Sequence, residues 1–261
     1  RDLDHLKKVF EDFQPEIVFH LAAQPLVRKS YAEPAETFDA NVMGSIYLMD
    51  AVRTMNKPCT VIMITSDKCY ENVGKADGYI ESDPMGGHDP YSASKGCAEL
   101  AISSYRRSFF APEKYGVEHQ VHLASVRAGN VIGGGDWAED RIIPDAVRAV
   151  TNARAIEIRS PNAVRPWQHV LEPLSGYMLL AAKLLSGDNN NFADGWNFGP
   201  KANTKPANVL TIIKKFYEVW GRGEVLCDES KANLHEAAYL TLSSKKAEDV
   251  LGWKQQWNLD E

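Results

Sequence analysis

No apolar run in the 261 residues approaches the about 18–20 needed to cross a membrane as a helix. Cysteine is scarce as well. Cys59, Cys69, Cys97 and Cys227 are scattered and form no C-x-x-C pair, which excludes a disulfide framework and a zinc ribbon and leads to the expectation of a reducing, cytoplasmic compartment. The seven histidines show no H-x-x-x-H spacing, so no metal site is expected. Positive charge is in short supply: 29 Lys and Arg against 35 Asp and Glu leave a net charge of −6, which argues against nucleic acid or an anionic membrane as partner. Repeats and low-complexity tracts are absent. Gly133-Gly134-Gly135 runs straight into Asp136 and no G-x-x-x-x-G-K-[S/T] pattern occurs, so this loop is read as lining a ligand site and not as a phosphate loop.

What is present is a helix-and-strand rhythm. Leu3, Leu6, Val9, Phe10 and Phe13 recur at helical spacing behind Asp2, a suitable N-cap, and Pro15 closes the pattern. Ile17 to Ala23 is a nearly continuous apolar run, predicted to be a strand buried on both faces. Phe38, Val42, Ile46, Met49 and Val52 predict a second helix, Val61 to Ile64 a second strand, Tyr91 to Phe110 a third helix and Val121 to Val126 a third strand. The alternation predicts an α/β fold, a doubly wound parallel sheet. Beyond Gly135 the rhythm loosens. Helices are expected near Ile143–Val150, Leu171–Leu185, Asn208–Trp220 and Lys245–Leu251, with strand-like pieces at Arg165–Leu171 and Trp196–Phe198, so this half reads as a smaller α+β unit.

The strongest local signal is Tyr91-Ser92-Ala93-Ser94-Lys95. Residues four apart share a helix face, with β-carbons about 5–6 Å apart. An ammonium there favours the phenolate and is expected to pull the tyrosine below its ordinary pKa of about 10, fitting it to take a proton from a sugar hydroxyl. The motif follows a strand ending in Thr65-Ser66-Asp67-Lys68, and ligands bind at strand C-termini in open α/β sheets.

With Leu21-Ala22-Ala23-Gln24, Asn41, Tyr91 with Lys95, Arg127 to Val131 and Leu251-Gly252-Trp253, nearly the whole chain resembles the extended short-chain dehydrogenase/reductase superfamily acting on nucleotide sugars. Ser66-Asp67-Lys68 is similar to the site of the sugar-nucleotide 4,6-dehydratases, most of which carry Asp-Glu where this chain has Asp67-Lys68. The runs Thr65–Asn72 and Met85–Tyr91 resemble those dehydratases whose substrate is CDP-glucose. The resemblance implies NAD as cofactor, held by Leu21, Ala22, Ala23, Gln24, Asn41, Ser66, Tyr91 and Lys95. It implies that Tyr91 takes the proton from the carbon-4 hydroxyl, with Ser66 sharing the hydrogen bond and Lys95 holding the phenolate. Asp67 is then the acid for loss of the carbon-6 hydroxyl, and Lys68 is either the carbon-5 base or a cation stabilising the enolate. Gln24, Asn130, Arg141, Arg165 and Tyr239 are the expected substrate contacts. The family often has an arginine pair before that tyrosine; here Ala237 and Ala238 stand instead, throwing more weight on Arg165.

Residues 1–135 are expected to form the NAD-binding unit and 136–261 the nucleotide-sugar unit, with segments near 165–175 and 194–200 returning to the first. The chain starts at Arg1 with no strand and glycine-rich turn ahead of Leu3, so about two βα units, roughly 50–70 residues, are expected to precede it. Helices Asn41–Val52 and Tyr91–Phe110 are expected to pair in a homodimer or homotetramer, through Gly44, Ala98, Leu100 and Ala101. Trp137 and Trp167 are expected to edge the nucleotide pocket. Two rivals remain: a 4-epimerase, which needs Tyr91 and Lys95 but no acid/base pair at 67 and 68, and a sugar-nucleotide-binding protein without turnover.

Overall fold

The computed structural model describes residues 1–55, 57–186, 190–201, 206–231 and 234–261. Its centre is a parallel sheet in the order β1-β2-β3-β8, from Ile17–His20, Cys59–Ile64, Val121–Ala128 and Gly195–Phe198. Helices α1 (Leu3–Phe13), α4 (Gly44–Arg53) and α5 (Pro90–Ser108) cover one face and α7 (Leu171–Leu185) the other. Strand β2 shows why both faces close. Val61 and Met63 join Phe10, Met49, Val52 and Ile102 on the first side, while Ile62 joins Leu180, Leu184 and Trp196 on the second, the two-residue alternation of a strand.

The helix starts follow local chemistry. Asp2 accepts a bond from the His5 amide at 2.9 Å, capping α1, and Asp89 caps α5 by accepting from Ser92 N at 3.0 Å with Pro90 in the first turn. Two short helices that periodicity did not single out, α2 (Val27–Ala32) and α3 (Pro34–Phe38), precede α4, and a π turn over Asp39–Met43 joins α3 to α4. The remaining residues build a smaller layer. There, α6 (Ile142–Thr151) and α8 (Val209–Trp220) pack on β5 (Ile156–Ile158), which pairs with β10 (Val225–Cys227), around Ala146, Val150, Ile213 and Tyr217. Two further pairs, β4 (Val131–Ile132) with β7 (Gln168–His169) and β6 (Val164–Arg165) with β9 (Ala207–Asn208), stitch this layer below the sheet's C-terminal edge. Among the described residues no helix is long and apolar enough to cross a membrane.

Three expectations change. The run Ile17–Ala23 is a strand only to His20, and it is not buried on both faces: Val18 packs into the core beside Phe10, while Ile17 and Phe19, on the opposite face, are each 38% exposed. The piece Arg165–Leu171 is broken into β6 and β7, because the chain turns at Pro166 and Trp167 between two different strand partners. Ala98, expected on a subunit-facing stripe, lies 1% exposed inside the molecule, while Leu100 is 60% exposed.

Candidate active site

The C-terminal ends of β2 and β3 and the first turn of α5 open onto one cavity of about 280 Å³, lined by Ser66, Asp67, Lys68, Tyr91, Asn130, Arg141 and Arg165. A close crossing brings helix and strand end together. A β-carbon on Gly96 would lie 2.5 Å from the Gly86 carbonyl oxygen and 3.1 Å from that of Cys69, so α5 can approach this backbone only with glycine at 96. Tyr91 N donates to Ser30 Oγ at 3.1 Å, fixing the first turn of α5 against α2.

Ser66 caps the 3₁₀ turn Asp67–Cys69, accepting from Lys68 N at 3.2 Å and donating to Asp67 Oδ1 at 2.9 Å. Its side chain also hydrogen-bonds that of Tyr91. Asp67 is 2% exposed, and its Oδ2 has no partner. Burial raises the Asp67 carboxyl above its ordinary range in spite of Lys68 beside it, and burial with the Arg165 charge lowers the Lys68 ammonium. The acid and the amine are therefore pushed toward their neutral forms together.

Tyr91 behaves otherwise than its spacing suggests. Burial pushes its phenol up to about 12, with the Asp67 and Asp89 charges adding to the rise and Ser66 and Arg141 opposing it; the Lys95 ammonium stands 6.0 Å from the ring centroid. Lys95 itself is lowered to about 8 by burial, partly offset by Glu99. The sequence-based expectation of a depressed tyrosine does not hold in this arrangement.

A second cavity, of about 620 Å³, lies over the end of β1 and is lined by His20, Ala22, Ala23, Gln24 and Tyr47; Pro25 and Leu26 line both cavities, so the two adjoin. His20 Nε2 is buried without a partner, and burial with the nearby Lys95 charge lowers its imidazole to about 4. The small Ala22 and Ala23 side chains and the unpartnered His20 acceptor fit a dinucleotide lying across this end of the sheet. Leu21 is 57% exposed and lines neither cavity.

Asn41, in the π turn, is a clasp. Its amide donates to Gln24 O at 3.1 Å and Ser94 Oγ at 2.8 Å, its Oδ1 accepts from Gln24 N at 2.8 Å, and Ser94 Oγ donates to Tyr91 O at 2.7 Å. π turns recur where a functional loop must be held. The Gln24 side chain is spent on Leu26 and Thr37.

Arg165, 6% exposed, donates to its own strand's Val164 carbonyl at 2.8 Å and otherwise faces the cavity. Arg141 is ion-paired with Asp136 at 3.4 Å. Tyr239 does not reach the cavity: its backbone bridges to Val164 and its hydroxyl donates to Ala76 O at 3.4 Å, whereas Glu236 lines the cavity in its stead. Of the two tryptophans, Trp167 lines the cavity and donates to Ala207 O at 3.0 Å, while Trp137 is 66% exposed and lies outside it. Sequence reading missed Arg28 and Arg159, both lining the cavity and both ion-paired with Asp140, at 3.7 and 3.0 Å. Isolated arginines carry no spacing signal. Among the described residues no group of three or more His, Cys, Asp or Glu side chains could hold a metal ion.

A parallel sheet with ligand-facing strand ends, a Tyr91–Lys95 helix face and an ionisable pair at the strand end define a Rossmann-like protein of the short-chain dehydrogenase/reductase type. Residues 1–261 match the family described as GDP-mannose 4,6 dehydratase, and the chain belongs to it. It is 50% identical over 261 residues to the CDP-glucose 4,6-dehydratase of Salmonella typhimurium (strain LT2), covering all of this chain and 72% of that protein. Among solved structures it is similar to a UDP-glucuronic acid 4-epimerase from Bacillus cereus in complex with UDP-glucuronic acid and NAD, with TM-score 0.82, 19% identity and coverage of 100% of this chain and 76% of the other. It is also similar to a dTDP-glucose 4,6-dehydratase from Streptomyces venezuelae with NAD bound, with TM-score 0.80, 18% identity and coverage of 98% and 73%.

Proposed function

We propose that this protein is an NAD-dependent hydro-lyase that converts CDP-glucose to CDP-4-keto-6-deoxyglucose. Half of its residues are identical to those of a dehydratase of that name over the full chain. The observation that carries the mechanism is the pair Asp67–Lys68 on one cavity wall with Tyr91, an acid held toward its protonated form beside an amine held toward its free form. A carboxyl that keeps its proton can give it up and an amine that has lost its proton can take one, which assigns Asp67 as acid and Lys68 as base.

When bound, NAD supplies the acceptor of a hydride from sugar carbon 4 and its return to carbon 6, so no net oxidation results. Tyr91 receives the carbon-4 hydroxyl proton in its phenolate form, the minor one that burial leaves near neutral pH, with Ser66 hydrogen-bonding the oxygen and Lys95 supplying positive charge behind it. The ketone acidifies carbon 5; Lys68, as the free amine, takes that proton. Asp67 gives its proton to the departing carbon-6 hydroxyl, which leaves as water. Arg165 and Arg141, which both line the cavity, take the diphosphate in this reading, for which guanidinium forks are suited. His20, Ala22, Ala23 and Gln24 bound the cofactor side and Asn130 the sugar side. In this reading the sheet half, residues 1–135, carries NAD and the rest the nucleotide sugar.

We further place the enzyme in the cytoplasm, in deoxysugar synthesis for surface polysaccharide, as a homo-oligomer that covers the exposed Leu100 of α5 with a second copy. Incubation with CDP-glucose and NAD, followed by alkali, tests the activity: a 4-keto chromophore supports it, and binding without chromophore favours a non-catalytic carrier. Competition among nucleotide-linked glucoses tests the base preference.

A further inference from the structure

Tyr91, Lys95 and Glu99 recur at four-residue spacing on α5, so their side chains rise along one helix face. Glu99 is 2% exposed and caged from three sides: Thr65 Oγ1 donates to Oε1 at 2.5 Å, Ser125 Oγ to Oε2 at 2.9 Å and Arg127 to Oε2 at 2.8 Å. Arg127 is itself held by Tyr70 OH at 2.6 Å and the Glu81 carbonyl at 3.2 Å. A buried ion pair of this kind is an expensive way to stabilise a fold, since apolar residues of similar volume commonly do as well. Its place suggests another use. Thr65 immediately precedes Ser66, so the cage ties the strand end carrying Ser66, Asp67 and Lys68 to the helix face carrying Tyr91 and Lys95.

The groups facing Lys95 narrow that use. From α5 come Tyr91 and Glu99, from the turn after β2 Cys69, and from β1 His20. Burial pushes the Cys69 thiol well above its ordinary value and lowers His20, so both are neutral near pH 7. Tyr91 is neutral there as well. Although burial opposes it, the cage of Arg127, Thr65 and Ser125 holds the Glu99 carboxyl below its ordinary value, leaving it ionised. Arg127 is ion-paired with Glu99 at 2.8 Å, and the Arg106 charge also acts on it. Glu99 is therefore the one anion in this set.

We propose that Glu99 is a positioning residue for the Tyr91–Lys95 pair: its caged carboxylate, one helical turn beyond Lys95, ties the helix face that carries the pair to the strand end that carries Ser66 and supplies the counter-charge to the Lys95 ammonium. The proposal rests on the reading of Lys95 as the working cation of the site. It deepens that reading without changing the reaction.

The test is a direct titration of Lys95 in the intact chain by NMR of ¹³Cε-labelled lysine, the signal being assigned with Lys95→Arg. In Glu99→Gln the Lys95 midpoint is expected to fall by about one pH unit or more, because burial then acts unopposed. Glu99→Asp, which keeps the charge, is expected to restore most of it. Since Glu99→Gln strands the Arg127 charge, which itself disfavours a nearby ammonium, Glu99→Gln/Arg127→Gln is measured beside it, and a smaller fall of the same sign is expected there. In turnover, the alkaline limb of the kcat–pH profile of Glu99→Gln moves to lower pH by the same amount. A merely structural glutamate would lower kcat equally at every pH. A wild-type midpoint in both Gln-bearing variants overturns the proposal. The titration reads Lys95 whatever reaction the site performs, so failure of the dehydratase reading appears separately, as loss of the 4-keto product with the midpoint shift intact.

Discussion

Ser66 Oγ donates to Asp67 Oδ1 at 2.9 Å while Asp67 Oδ2, buried on the wall of the active cavity, has no partner. A carboxylate oxygen left unpaired in that position is costly, and carrying a proton relieves it. The orphan oxygen thus marks where a proton sits ready for donation. Asp67→Asn keeps the shape and removes the proton donor. Its kcat for 4-keto-6-deoxy product should fall by about 10²–10⁴-fold, the usual worth of a placed general acid. Single-turnover oxidation at carbon 4, followed by cofactor absorbance, should survive. Loss of both together would show Asp67 to be needed for binding and not for elimination.

Lys68→Ala removes the amine assigned to carbon 5. In deuterated buffer the wild-type enzyme washes label into that carbon, and the variant should do so at least about 10²-fold more slowly. Mass spectrometry of the sugar product reads it. Exchange at the wild-type rate would sink Lys68 as base and leave it the role of an electrostatic support.

Lys95 carries a charge where burial resists one, so stability should depend on pH in a defined sense. Its folded-state value of about 8 lies below the ordinary 10.5. Below about pH 8 the folded chain bears the full cost of the buried ammonium; the cost fades as pH rises through 10.5, where the unfolded chain loses its proton too. Lys95→Met should therefore gain about 1–3 kcal/mol relative to wild type at pH 7, and most of that advantage should vanish by pH 10.5. Urea unfolding at the two pH values measures it, and an advantage independent of pH would contradict the burial argument.

Gly96→Ala places a methyl 2.5 Å from the Gly86 carbonyl oxygen, levering α5 off the turn after β2. The expected cost is about 1–3 kcal/mol, typical of overpacking, with turnover lost further because Tyr91 moves from Ser66. Gly134→Ala, whose added methyl would meet nothing within 4 Å, is the control and should leave thermal unfolding unchanged.

Much of the architecture was legible in the residues alone. Helix α7 spans Leu171–Leu185 as its periodicity predicts, α8 ends on Gly221 in the left-handed conformation that glycine takes without cost, and β2 and β3 are buried apolar runs as expected. Such signals are local: spacing, caps and turn residues act within a few positions. The composition of the site was legible too, since Ser66, Asp67, Lys68 and Tyr91 all lie on one wall. What they do there was decided by tertiary structure. Asn41 became a clasp because the fold brings Ser94, 53 residues away, to its amide. Tyr239 was drawn from the cavity by a bridge to Val164, and β1 became half-exposed because only its Val18 face packs into the core. The charge states follow the same rule. Four-residue spacing places Lys95 beside Tyr91, but the depth of burial and the charges that the fold brings near determine how readily each gives up its proton, and neither is written in any local stretch of sequence.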